Sequence, residues 1–112
     1  MAKAAQLVVF PVKDLAKAKE QFTQLLGTSP YVDGPYYVGY RSEGREIGLD
    51  PHGTSNGPIA YWDTEDIAAR VEELRSAGWQ ITSDAKDVGG GLLVAQLTDS
   101  NGNTIGLRQD SK

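Results

Sequence analysis

A short motif occurs twice in this chain of 112 residues. Gly44 to Asp50 reads GREIGLD and Gly102 to Arg108 reads GNTIGLR, each Gly-x-x-Ile-Gly-Leu followed by a charged residue. Longer upstream segments match in the same order. VKDLAKAKEQFTQLLG (Val12 to Gly27) resembles TEDIAARVEELRSAG (Thr64 to Gly78); each has Asp-Leu or Asp-Ile near its start and closes on glycine. Such a repeat constrains the fold more than any other feature, because one supersecondary unit of roughly fifty residues must serve twice. The alternative is an unrepeated α+β domain with chance matches. It has to explain why helix, glycine stop and Ile-Gly-Leu strand recur in one order.

Leu15, Ala18, Phe22 and Leu25 recur at helical spacing in the first segment, and Ile67, Val71 and Leu74 in the second. This predicts two amphipathic helices, each with one buried stripe. Asp14 and Thr64 are the expected N-caps. Gly27 and Gly78 fit the left-handed position that ends a helix. Strands are predicted before each helix, over QLVVFPV (Gln6 to Val12) and PIAYWD (Pro58 to Asp63). After the first helix come YYVGYR (Tyr36 to Arg41), the turn SEG, and REIGLD. After the second come WQITSDAKDV (Trp79 to Val88), the turn GGG, LLVAQLT (Leu92 to Thr98), the turn DSNG, and NTIGLRQ. Each half reads β-α-β-β-β, so the fold class is α+β. The expected organisation is a single domain over 1–112, with module one over 5–50, a linker over 51–57 rich in Gly, Pro, Asn and Ser, and module two over 58–109. A half of this size buries its apolar faces poorly alone, so two should pack together, in one chain or across a homodimer.

The formal net charge is −4, with acidic and basic side chains interspersed. There is no basic stripe for nucleic acid or for an anionic membrane surface. Cysteine is absent, which excludes disulfides and thiolate metal sites. The stretch MAKAAQLVVFPVKDL has only a short apolar run, ended by Pro11, where a signal peptide or membrane span needs a longer one. The expectation is a cytoplasmic protein without nucleic-acid or membrane partners.

VKDLAKAKEQFTQLLG, YWDTEDIAARVEELRSAG and LTDSNGNTIGLRQ, in this order and spacing, resemble the vicinal-oxygen-chelate superfamily of glyoxalases, bleomycin-resistance proteins and extradiol dioxygenases. The last piece is similar to the superfamily's usual ending, Asp-x-x-Gly-Asn-x-Ile-Glu-Leu. The resemblance covers nearly the whole chain. It implies two β-α-β-β-β modules whose mixed sheets curve around a shared concave cavity, paired in a homodimer. Metal-dependent members hold the ion with four ligands, usually His, Gln or Glu, on the first and last strand of each module. Carried over by motif, those positions are Leu7, Gly48, Ile59 and Gly106. Leucine and isoleucine have no donor atom and glycine has no side chain, whereas a divalent ion needs several N or O ligands at about 2.0–2.6 Å. A one-residue slip on the first strand brings in Gln6, a single weak donor. The expectation is therefore no metal and no cofactor.

Alternation along a strand sets Ile47 and Leu49, and likewise Ile105 and Leu107, against the helices. Gly48 and Gly106 then face the cavity. Two roles are open for them: leaving space where relatives place a ligand, or relieving strain in a sharply curved strand. Glu46, Asp50, Thr104 and Arg108 share the glycine side. Asp50 and Arg108 hold equivalent places with opposite charge, and either orient a polar ligand, pair with each other, or stand as solvated strand-end charges. His52, the only histidine, lies in the loop DPHG and is the candidate catalytic group or a ligand contact, against the plain reading of an exposed polar side chain. Tyr31, Tyr36, Tyr37 and Tyr40 cluster with Pro30 and Pro35, and Tyr61 and Trp62 sit on the first strand of module two. Aromatics of this kind suit a flat or apolar ligand, or ordinary packing. The candidate ligand-binding residues are Leu7, Tyr37, Tyr40, Gly48, Asp50, His52, Ile59, Tyr61, Gly106 and Arg108. DVGGG (Asp87 to Gly91) lacks the helix and Lys-Ser/Thr of a phosphate cradle and reads as a hairpin turn. Asp63, Glu65 and Asp66 read as negative charge favouring a helix N-terminus.

Three functions compete. The first is a metal-independent small-molecule-binding protein that takes an apolar or aromatic ligand in its cavity. The second is a metal-independent lyase or isomerase using His52, Asp50 or Tyr61 as acid–base groups. The third is a structural dimer with a vestigial cavity. The first follows most directly from the resemblance combined with the missing ligands.

Overall fold

The structure, a computed structural model, describes residues 4–52 and 57–110. Its ten elements run β-α-β-β-β twice, as the repeat requires. Residues 53–56 of the expected linker lie outside the described residues. The chain divides into two compact units between Ala60 and Tyr61.

The first unit contains β1 (Leu7–Pro11), α1 (Leu15–Leu26), β2 (Val32–Asp33), β3 (Val38–Ser42) and β4 (Arg45–Asp50), with strand order β2-β3-β4-β1. The first strand runs parallel to β4, while β2 with β3 and β3 with β4 are antiparallel, so this is a mixed sheet. The Asp14 carboxylate caps α1 by accepting from Lys17 N (3.0 Å), and Gly27, at φ 71°, ends it. Ala18, Val38, Tyr40 and Leu49 form the buried centre, with Phe10, Leu15, Phe22, Leu26 and Ile47 packed around it. The stripe closes on Leu26, not on the expected Leu25, which is 73% exposed. Leu26 lies three turns beyond Leu15 and in line with it, whereas Leu25 falls at the stripe's edge. The two-residue β2 was not among the strands read from the sequence; it has no alternation to announce it and is exposed.

The second unit contains α2 (Ile67–Ser76), β6 (Gln80–Asp87), β7 (Leu93–Thr98) and β8 (Thr104–Gln109). It also takes the larger part of β5 (Ile59–Asp63), and its strand order is β5-β8-β7-β6. Strands β6, β7 and β8 form an antiparallel run. Ile67, Val71, Ala95, Leu97 and Leu107 are the buried centre, and Trp62, Leu74, Trp79 and Ile105 pack on it. The N-cap is Asp66, not Thr64: Asp66 Oδ1 accepts from Ala69 N (3.1 Å). Thr64 N instead donates to Arg108 O (2.8 Å), which holds Thr64 to the end of β8. Gly78 has the expected positive φ, 107°, but stands one residue beyond the cap at Ala77.

Candidate functional site

In the first unit Ile47 and Leu49 pack beneath α1, so Glu46, Gly48 and Asp50 face the other way. Gly48 sits between Val9 on β1 and Gly39 on β3. Two adjacent glycines leave a strip of bare backbone, and the ring of Tyr37 covers it. A Cβ on Gly48 would lie 2.7 Å from Tyr37 Cζ and closer still to Oη; one on Gly39 would lie 3.2 Å from Cε2. Tyr37 precedes β3 in a turn where Gly34 N donates to Tyr37 O (3.0 Å). Tyr31 is alongside. Its hydroxyl donates to Glu46 Oε1 (2.6 Å), and the Arg41 guanidinium carbon stands 4.1 Å from its ring centroid. Burial first, and the neighbouring Glu46 carboxylate second, push the Tyr31 phenol above its ordinary pKa.

The second unit repeats the device on different scaffolding. Ile105 and Leu107 face α2, and Gly106 faces the other way, opposite Gln96 of β7. The ring of Tyr61 of β5 packs against Gly106: a Cβ there would be 2.8 Å from Cγ and closer to Cδ2 and Cε2. Gln96 Nε2 donates to Tyr61 Oη (2.9 Å). Thr98 and Thr104 hydroxyls meet at 3.1 Å on the same side. Arg108 donates through Nε to Asp63 Oδ1 (2.8 Å) and through Nη2 to Oδ2 (3.3 Å), a two-pronged pair with the guanidinium side chain 12% exposed.

These positions decide several expectations. Gly48 and Gly106 do not leave open space, because a tyrosine ring fills the place of each missing side chain. Neither has positive φ, so a left-handed backbone is not the reason for glycine. Close approach of the ring is. Tyr40, a candidate ligand-binding residue, lies beneath α1, fully buried, bonded to Thr23 Oγ1 (2.8 Å) and donating to Lys19 O (3.0 Å). Alternation sends it there: Tyr40 pairs with Ile47, not with Gly48. Arg108 takes Asp63 as its partner, and Asp50 Oδ1 accepts from His52 N (2.8 Å), closing the turn after β4. His52 is exposed, its ring 5.7 Å from that of Tyr36. Gln96 was missed. Its signal was a polar residue between Ala95 and Leu97, on the face away from the helix.

Leu7 and Ile59 are buried at 7% and 8% exposure. With Gly48 and Gly106 they supply no side-chain nitrogen or oxygen, and the amide of Gln6 donates to Gly44 O (2.5 Å). The four positions implied by the resemblance do not fit a divalent ion. A groove of about 520 Å³ in the first unit lies between α1 and the segment around Asp33, on the helix side of the sheet, and the Lys19–Asp33 ion pair (2.7 Å) stands within it.

The duplicated β-α-β-β-β unit, with a helix on one face and glycine-bearing last strands turned to the other, defines the class. The chain belongs to the glyoxalase/bleomycin resistance protein/dioxygenase superfamily, whose model matches residues 5–107. No curated protein sequence matches it. Among solved structures it is similar to one described as an NAD-dependent benzaldehyde dehydrogenase from Legionella pneumophila, with 18% identity, a TM-score of 0.78, and coverage of 94% of this chain and 98% of that one. It is also similar to methylmalonyl-CoA epimerase from Mycobacterium tuberculosis, at 17% identity and a TM-score of 0.73, covering 100% and 94%. A glyoxalase/bleomycin resistance protein/dioxygenase superfamily member from Vibrio splendidus 12B01 is similar at 18% and 0.69, covering 93% and 97%. Identities this low speak for the fold alone.

Proposed function

We propose that this chain is a metal-independent small-molecule-binding protein of the glyoxalase/bleomycin-resistance type, cytoplasmic and homodimeric, which takes an apolar or aromatic ligand against its glycine faces. One observation carries the reading: at both last-strand positions where metal-dependent relatives place a ligand, glycine lies under a tyrosine ring, Tyr37 over Gly48 and Tyr61 over Gly106. Aromatic rings at these positions, with no chelating side chain beside them, favour flat apolar molecules over hydrated ions.

Two measurements on one preparation test it. Elemental analysis of protein purified without added metal is expected to find no stoichiometric zinc, nickel, manganese or iron. Neutral aromatic compounds are expected to raise the melting temperature, since a ligand that binds only the native state stabilises it. Replacing Tyr61 by alanine should abolish that rise. One equivalent of metal per chain, or a screen in which no aromatic compound stabilises the protein, overturns the proposal.

A further inference from the structure

Tyr61 is 9% exposed, and its hydroxyl receives an N–H from Gln96 Nε2 at 2.9 Å. A phenol both accepts and donates. The accepting side is satisfied; the proton of Tyr61 has no acceptor among the described residues. The Tyr61 hydroxyl has one hydrogen bond already and keeps a proton with which to meet an acceptor brought by a ligand. Gln96 Nε2 carries a second N–H as well. Two neutral groups with donor capacity therefore stand side by side at Gly106 of β8, Tyr61 against it and Gln96 opposite it.

We infer that Tyr61 and Gln96 form a recognition pair for a carbonyl oxygen on a neutral aromatic ligand. The aromatic body rests on the function proposed above; the carbonyl is the new element. A carbonyl oxygen has two lone pairs, enough for the Tyr61 O–H and the Gln96 N–H together. Neutrality follows from the charges of this unit's face. Arg108 is bonded through two nitrogens to Asp63, so its charge is already balanced, and a carboxylate ligand would have to break that pair. Thr98 and Thr104, the next polar groups along the face, are neutral and bonded to each other. The position of Tyr61 is held from below by Gly106, where any side chain would push the ring away. Tyr61 and Gln96 thus supply donors on the face where metal-dependent relatives carry an electrophile.

The test uses the full chain labelled with nitrogen-15 and three probes: acetophenone, ethylbenzene and benzoate. Acetophenone is expected to bind more tightly than the other two and to shift the amide signals of Gln96 and Gly106. Tyr61→Phe keeps the ring over Gly106 and removes only the hydroxyl. It should weaken acetophenone about five- to tenfold, the value of one net hydrogen bond, and leave ethylbenzene unchanged. Gln96→Leu should act in the same direction, with near-native melting confirming the fold of both variants. Equal affinity for acetophenone and ethylbenzene, no loss in either variant, or tighter binding of benzoate overturns the carbonyl assignment while the aromatic reading stands. Failure of both neutral probes to bind removes the aromatic reading itself, and the assignment with it.

Discussion

Gly106 and Gly48 hold the same place in the repeat but meet opposite ends of their tyrosines. At Gly106 a Cβ would strike Cγ, Cδ2 and Cε2 of Tyr61, the root of a ring fixed on a strand. At Gly48 it would strike Oη, Cζ and Cε1 of Tyr37, the far end of a side chain in a turn. Gly106→Ala is therefore expected to destabilise by about 1–3 kcal/mol, the ordinary cost of overpacking, and Gly48→Ala by clearly less. In a Tyr61→Ala background the Gly106→Ala cost should vanish, since alanine without a clash suits a strand better than glycine. Urea denaturation of the four proteins in that cycle measures it. The same cost in both backgrounds would mean that the ring is not what glycine accommodates. None of this was legible in the sequence. Gly-x-x-Ile-Gly-Leu shows that the middle glycine faces away from the helix, because strand alternation is local. That a tyrosine 45 positions earlier lies over Gly106 depends on which strand neighbours β8, and spacing says nothing of that. Tyr40 failed for a simpler reason: composition grouped it with Tyr36 and Tyr37, and the β3 register separated it from them.

At the scale of elements the sequence was more informative, because helix ends and hairpins are written in neighbouring residues. Asp14, Gly27 and the alternation of β4, β7 and β8 follow from chemistry within a few positions. The start of α2 was harder, since Thr64 and Asp66, two good capping residues, stand two positions apart. The structure separates their roles by hydrogen bonds. Asp66 Oδ1 receives Ala69 N, while Thr64 N donates to the carbonyl of Arg108 on β8. Asp66→Ala is expected to cost about 1 kcal/mol, the usual value of an N-cap. Thr64→Ala, which leaves its backbone donor in place, should cost no more than about 0.5 kcal/mol. Thermal unfolding of the two variants distinguishes them, and the reverse ranking would move the helix start to Thr64. The same logic explains why β2 escaped notice: two exposed residues carry no periodic signal, and their pairing with Gly39 and Val38 is set by β3.

For the whole molecule, exposure bears on assembly. Leu25 at 73%, Tyr36 at 72%, Tyr31 at 46% and Val32 at 38% are large apolar side chains left in solvent in the first unit, against Val88 at 51% in the second. Isolated exposed hydrophobes are ordinary, but four from one unit of about fifty residues exceed what so small a core easily tolerates. A second copy of the chain would take them out of water. A net charge of −4 is too small to prevent this at physiological salt, where repulsion between exposed charges fades beyond about 8 Å. The expected outcome is a dimer, with light scattering giving twice the 12.1 kDa of one chain at micromolar concentration. If assembly stabilises the fold, the melting temperature must also rise with protein concentration, because association draws the native state forward by mass action. Tyr36→Glu, which places a charge among these residues, should lower both the measured mass and that concentration dependence. The Gly106 and Tyr61 contact lies in the other unit and should stay intact, so near-UV circular dichroism from Trp62 and Trp79 is expected to remain native. A 12.1 kDa species throughout the micromolar range, with a melting temperature independent of concentration, would show that the chain works as a monomer.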